Sequence, residues 1–246
     1  MSFRAIAGLA VSLVVVAAPG AARQESVQLV RKAKVGDVTR VQTVGKAQVD
    51  MNGAQMALDL KGIEKYTVTA VAANGDITET DSPESVELSM NGQSMPPDPE
   101  MMKASTIVIK PNRMLVSYTK EDGSSDASEG RMYHATTVIY PDTPVKVGDK
   151  WSKTFAANAA TGARTARGDY QVLAFETVAG VATVKVSLTF QESVAPALKT
   201  KGTVWIERAT GDVVKAEGTV EGFPLDETGA MLATVTLTQT RLPKGQ

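Results

Sequence analysis

Residues 41–70 alternate apolar and polar side chains on both sides of Asn52-Gly53, and this stretch constrains the fold more than any other. Asn-Gly suits the two positive-φ positions of a type I′ turn, whose twist matches that of the flanking strands. With those two residues as the loop, Met51 faces Ala54, Val49 faces Met56, Ala47 faces Leu58 and Gly45 faces Leu60, and all eight share one side. The other side carries Asp50, Gln48, Lys46, Gln42 and Arg40 against Gln55, Asp59, Lys61 and Lys65, with Lys46 opposite Asp59. Turn chemistry and strand period agree on one register, because a slip of one residue would put the whole apolar set in water. The product is a long antiparallel ribbon, wet on one face and dry on the other, of the kind that covers a core or a cavity.

The same pattern continues along the chain. Turn signals at Asn74-Gly75, Asn91-Gly92, Asp122-Gly123, Ala179-Gly180, Thr210-Gly211 and Thr228-Gly229 separate β-branched runs such as Val184–Phe190 and Val213–Val220. Regular spacing of this kind predicts an all-β fold, an antiparallel meander forming a barrel-like, half-barrel or sandwich core. Helix is expected only as a turn or two at Pro99–Ser105 and at Ser125–Met132, and Arg131–Tyr140 reads as a strand. Lys34-Val35-Gly36-Asp37 recurs as Lys146-Val147-Gly148-Asp149, each ahead of an expected strand. Gly62–Asp76 resembles Arg167–Gly180 in strand and turn pattern, and Thr106-Ile107-Val108-Ile109 resembles Thr203-Val204-Trp205-Ile206, in the same order. Each half closes on a β run ending in proline, at Pro141 and Pro243. Residues 34–141 and 146–243 therefore read as two diverged copies of one β unit, the alternative being chance likeness between β-rich segments. Neither copy buries its dry face well alone, so one compact domain is expected from a first unit at 23–141 and a second at 142–246.

Residues 1–22 have the tripartite layout of a secretory signal peptide: Arg4, an apolar run from Ala5 to Ala18, then Pro19-Gly20-Ala21-Ala22, with cleavage expected after Ala22. The apolar run is shorter than the roughly 18 to 20 residues of a spanning helix, so no transmembrane span is expected in the mature chain; an uncleaved anchor is the alternative. There is no cysteine, hence no lipoprotein acylation site and no disulfide. That composition suits export to a bacterial periplasm or to the outside, with a core that stabilises itself unaided. The chain has 26 basic and 27 acidic residues, and the leader removes only Arg4, so nothing attracts nucleic acid or an anionic membrane. Aromatic residues are only 5%, which leaves the core to Val, Leu, Ile, Ala and Met.

Val145-Lys146-Val147-Gly148-Asp149-Lys150-Trp151 and the run Gly202–Lys215 resemble recurring phrases of uncharacterised exported bacterial β-rich protein families. The second phrase is also similar to the strand, turn and strand of lipoprotein carriers of the LolA and LppX type. In those carriers a curved half-barrel holds acyl chains, so the resemblance implies a concave sheet face and a hydrophobic ligand. It covers roughly the second half of the chain. It includes no catalytic motif, and no functional residue is transferred from it.

The residues themselves offer little catalytic chemistry. His134 is the only histidine and falls in the expected strand 131–140; there is no cysteine nucleophile and no Gly-x-Ser-x-Gly elbow. The acids Asp76, Glu79, Asp81 and Glu84, and again Glu121, Asp122, Asp126 and Glu129, read as solvated groups on turns and strand ends, and neither set matches a calcium loop. Glu64 falls on the dry face near Tyr66, where it either heads a pocket or simply lies near the open end of the hairpin. Eight of the ten methionines, namely Met51, Met56, Met90, Met95, Met101, Met102, Met114 and Met132, lie in the first unit. Thioethers fit a greasy cavity, bind soft metals, or fill a core short of aromatics. Trp151 and Trp205 read as core anchors. No metal site, cofactor or enzymatic activity is assigned. The leading expectation is an exported non-enzymatic β protein that binds a hydrophobic or lipid-like molecule on a concave face. Val49, Met51, Met56, Leu58, Leu60 and Tyr66 would line one side, with Val184, Val186, Leu188 and Phe190 as counterparts. A structural or protein-interaction module of the cell envelope, with a filled core and an envelope protein partner, is the alternative, and Met-based copper binding a further one.

Overall fold

The computed structural model describes residues 25–51, 54–224 and 232–243. The expected signal peptide, the Asn52-Gly53 loop and the Thr228-Gly229 turn lie outside them. Strands β1 (Val38–Met51), β2 (Ala54–Val71), β3 (Ile77–Met90), β4 (Gln93–Met95), β5 (Ser105–Ile109) and β6 (Leu115–Lys120) lead into α1 (Ala127–Thr136). Then follow β7 (Lys150–Phe155), β8 (Ala166–Val178), β9 (Val181–Glu192), β10 (Lys199–Glu207), β11 (Val213–Pro224) and β12 (Leu232–Arg241). All are antiparallel neighbours in one sheet, ordered β6-β5-β3-β2-β1-β12-β11-β10-β9-β8-β7, with β4 beside the far end of β3. β6 and β7 do not pair with each other, so the sheet is an open half-barrel.

The first hairpin has the register that alternation demands: Val49 opposes Met56, Ala47 opposes Leu58 and Gly45 opposes Leu60. Lys46 reaches Asp59 at 4.0 Å on the wet face. The two halves repeat the same structural devices. Lys34 N donates to Asp37 Oδ2 at 2.8 Å, as Lys146 N does to Asp149 Oδ2. Gly36 N and Gly148 N donate at 2.9 Å to the carbonyls of Val68 and Val172, and those two valines return their own N–H to Asp37 O and Asp149 O. Gly36 and Gly148 have φ of +90° and +93°, a region glycine enters without a Cβ penalty. A bulge follows each anchored valine, between Val68 and Ala70 and between Val172 and Ala174. The irregularity at Val108/Ile109 recurs at Trp205/Ile206. Across the sheet, β6-β5-β3-β2-β1 and β11-β10-β9-β8-β7 run in the same sense. The second half thus continues the first as the next segment of one curved surface, and β12 joins them.

The halves differ where the first was expected to close on a strand. Residues 127–136 instead form α1, and 137–140 are irregular. Asp126 caps the helix by accepting from Glu129 N at 3.0 Å, an Asp-x-x-Glu capping pattern that outweighs the β propensity of the residues beyond. Gly130 lets α1 approach the β7–β8 loop closely, since a Cβ there would lie 2.3 Å from Thr161 O. Arg131 reaches across to Glu192 at the end of β9. Packed on β6, and with His134 edge-on to Phe155 of β7, the helix covers the gap between the two open edges of the sheet. One end is crossed by residues 27–32: Val27 N bonds Val145 O, Arg31 N bonds Pro111 O and Lys32 N bonds Thr210 O. Pro111 and Thr210 sit in the equivalent β5–β6 and β10–β11 turns, so this strap ties the two halves together. The main core lies beneath it in the second half, around Leu29, Val172, Val184, Val186, Leu198 and Ile206; a smaller one in the first half centres on Val68, Ile77, Ile107 and Ile109.

Candidate functional site

A row of cross-strand neighbours runs over the concave face through six strands. Leu188 opposes Gly202, Gly202 opposes Gly218, Gly218 opposes Leu237, Leu237 opposes Gly45 and Gly45 opposes Leu60. Three leucines along it are separated by glycines, one between Leu60 and Leu237 and two between Leu237 and Leu188. On β10 and β11 the glycines are required by backbone approach, because a Cβ on Gly202 would meet Glu217 O at 2.6 Å and one on Gly218 would meet Lys201 O at 2.9 Å. The consequence is a trough. Over it, between the sheet and α1, lies a cavity of about 430 Å³, within the roughly 300 to 1,000 Å³ of small-molecule sites. Leu60, Leu188 and Leu237 line it, joined by Val204, Val220 and Phe223 from the sheet and Met132 from α1. Met101, exposed on a short 3-10 helix at Pro99–Met102, also borders it and marks where it meets solvent.

One end of the cavity is polar. Tyr66 and Glu64 reach it from β2, Asp81 and Glu79 from β3, Tyr118 from β6 and Glu129 from α1. Tyr66 opposes Asp81, and Val68 opposes Glu79, so strand pairing alone brings these groups together. Glu79 is ion-paired: Arg31 holds it at 2.7 Å and Asp212 at 2.5 Å, all three side chains being buried or nearly so, and the buried Arg113 guanidinium interacts with both acids. Glu64 accepts from the Tyr66 hydroxyl at 2.8 Å. Burial raises its carboxyl above the usual range, and that hydrogen bond offsets part of the rise. Asp81 is only 7% exposed, and its Oδ1 has no hydrogen-bond partner among the described residues. Burial, then the charges of Glu64, Glu129 and Glu79, pushes its carboxyl up to about 8, with the Tyr118 hydroxyl opposing. Glu129 is exposed to solvent where it borders the cavity. The protein packed around it, followed by Asp126 and Glu64, still raises it to about 7. The site therefore joins an apolar trough to a group of carboxyls among which Asp81, buried and facing other acids, resists ionisation at neutral pH.

Of the expected ligand residues, Leu60, Tyr66 and Leu188 line this cavity. Val184, Val186 and Phe190 share the face of Leu188 but are buried in the main core, and Val49 and Leu58 form a separate cluster with Val235 towards the hairpin tip. Met56 is half-buried opposite Val49, and the side chain of Met51 is outside the described set. Glu79 and Asp81 are buried rather than solvated; the signal for them was the pairing of β3 with the dry face of β2. Glu64 does border a pocket. His134 stands in α1 rather than a strand, 4% exposed and edge-on to Phe155 at 5.2 Å, and burial lowers it to about 4. It is a neutral core residue. Met95, Met101 and Met102 are exposed, and among the described residues no group of three His, Cys, Asp or Glu is placed to hold a metal ion.

No family model matches the chain, and no curated protein matches it. Among solved structures it is similar to lipovitellin, in a structure described by its lipid–protein interactions, with a TM-score of 0.51 and 9% identity over 85% of this chain and 25% of that one. The chain spans about a quarter of the length of that relative. A DUF1329 family protein from Desulfovibrio piger aligns over 87% of this chain and 88% of its own at 8% identity, but its TM-score of 0.21 carries no structural argument. The similarity that counts is one of fold: a curved, open antiparallel sheet.

Proposed function

We propose that this is an exported, non-enzymatic protein whose concave sheet face holds one apolar, lipid-like molecule. The observation that carries the reading is the leucine–glycine row fronting the cavity. Apolar walls around an unfilled volume favour a ligand that brings its own apolar surface out of water, and the polar groups at one end orient an amphiphile. The fold of lipovitellin, with its lipid–protein interactions, supports the same reading by analogy. Native mass spectrometry after detergent-free purification tests it: a retained, organic-extractable adduct is expected. Leu237 lies between Gly45 and Gly218 and borders the cavity, so Leu237→Trp should fill the trough and lose the adduct while the protein stays folded. A clean apo mass together with no uptake of a fluorescent fatty acid would overturn the proposal.

A further inference from the structure

We infer that the acidic end of the cavity receives the ammonium group of an amine-headed amphiphile whose chain lies along the leucine–glycine row. This rests on the apolar-ligand reading above and names the head group that reading leaves open.

Three observations converge on it. Asp81 is buried, borders the cavity and has an oxygen, Oδ1, without a hydrogen-bond donor among the described residues. A buried carboxylate normally finds donors within the fold, and the side left open to Asp81 is the cavity. Next, the acids at this end are sorted into compensated and uncompensated. Glu79 and Asp212 share Arg31 and lie within the field of the buried Arg113, whereas Glu64, Asp81 and Glu129 form no ion pair among the described residues. Lys120, the nearest cation on β6, turns to Asp126 at 3.9 Å. Finally, among the described residues no three carboxylates are placed to close on one metal ion. An ammonium suits a looser set, because its three N–H donors can reach separate oxygens.

The titration of the site fits the same ligand. The groups facing Asp81 are Glu64 and Tyr66 of β2, Glu79 of β3, Tyr118 of β6 and Glu129 of α1. With Asp81 buried and raised to about 8, the unliganded site holds a proton there at pH 7. An arriving ammonium favours the ionised carboxyl and expels that proton. Affinity for the amine therefore increases as pH rises from about 6 to about 9, and stays high until the amine itself deprotonates near about 10.4.

Isothermal titration at pH 7.5 with decylamine, decanol, decanoate and propylamine, each below its aggregation threshold, provides the test. Decylamine should bind at least tenfold more tightly than decanol, with decanoate weaker than both and propylamine undetectable. In buffers of different ionisation enthalpy, decylamine binding should release protons and decanol binding should not. The variant Asp81→Asn/Glu64→Gln should bind decanol as before and lose the tenfold preference for the amine. Equal affinity for decylamine and decanol, absence of proton release, or a preference that survives the double variant would overturn the ammonium site and leave the apolar cavity standing. Tight binding of propylamine would assign the site to small amines instead. If no decyl compound binds, both proposals fall.

Discussion

Arg131 is the residue by which α1 is tied to the far side of the sheet, and replacing it tests whether the helical wall of the cavity is held electrostatically. Its Nε and Nη2 donate to Glu192 at 2.8 and 2.6 Å, and Nη2 also donates to Pro196 O at 2.9 Å. The Glu192 side chain is 1% exposed, and its Oε2 accepts from Leu198 N at 2.8 Å. Arg131→Met would leave that carboxylate in the interior with one amide donor and no countercharge. Breaking a buried pair by removing one partner costs about 3–5 kcal/mol, most of it the stranded charge rather than the lost attraction. In a chain of this size each kcal/mol lowers the melting temperature by about 2–4 °C, so a fall of roughly 6–20 °C is expected. Arg131→Met/Glu192→Gln removes the charge but keeps an acceptor for Leu198 N, and it should recover more than half of the loss. Urea and thermal unfolding of wild type, both single variants and the double variant at pH 7 close the cycle. A single-variant loss below about 1 kcal/mol, the size of a surface pair, or a double variant no more stable than Arg131→Met, would refute the reasoning.

Two further outcomes follow from the same geometry. Gly202→Ala drives a methyl onto the Glu217 carbonyl and should cost about 1–3 kcal/mol. Gly45→Ala meets side chains alone, Leu237 Cδ2 at 3.1 Å and Leu60 Cβ at 3.5 Å, and should cost less than half as much; equal losses in urea unfolding would show that the glycines do not mark backbone contact. Asp81 titrates near about 3.9 in an unfolded chain and near about 8 in the fold, so the folded state keeps a proton that the unfolded state has released. Its contribution is full below about pH 4 and lost as pH rises towards 8. The unliganded protein should therefore lose stability between pH 5 and pH 8.5, more steeply than Asp81→Asn does, and equal slopes would contradict the burial of that carboxyl.

The phase of the first hairpin was readable because it depends on neighbours: a two-residue turn and alternation on either side of it fix which residues oppose. The duplicated Lys-Val-Gly-Asp element was readable for a related reason. Each copy makes the same turn, and its glycine and aspartate bond the backbone of a valine on the second strand that follows, Val68 of β2 or Val172 of β8. Local order misled at α1. Tyr133, Thr136, Thr137, Val138, Ile139 and Tyr140 form a run of good strand residues, yet Asp126 and Glu129 cap a helix ahead of them and Arg131 needs that helix to reach Glu192. The acids failed differently. Glu79 and Asp81 look like turn residues in sequence, and only the β2–β3 register, interrupted by the bulge at Val68/Ala70, places them opposite Val68 and Tyr66.

The hollow itself lay furthest from view, and the reason is physical. Alternation shows that a strand has a dry face, but a dry face can be filled or empty, and the difference is made by residues from strands distant in sequence. Gly45, Gly202 and Gly218 are unremarkable singly, since glycine in a strand reads as a bulge or a weakness. They fall into one row only when β1 pairs with β12, β12 with β11 and β11 with β10, and two of those pairings join segments nearly 200 residues apart or cross the undescribed stretch at 225–231. At that point three side chains are missing from a surface that would otherwise be closed by leucines meeting across it. A filled core of the same fold would need only bulky residues in those places, which the 2.6 Å and 2.9 Å approaches at β10 and β11 forbid. The strand approach that curves the sheet at β10 and β11 is thus also what keeps its concave face from filling itself with side chains.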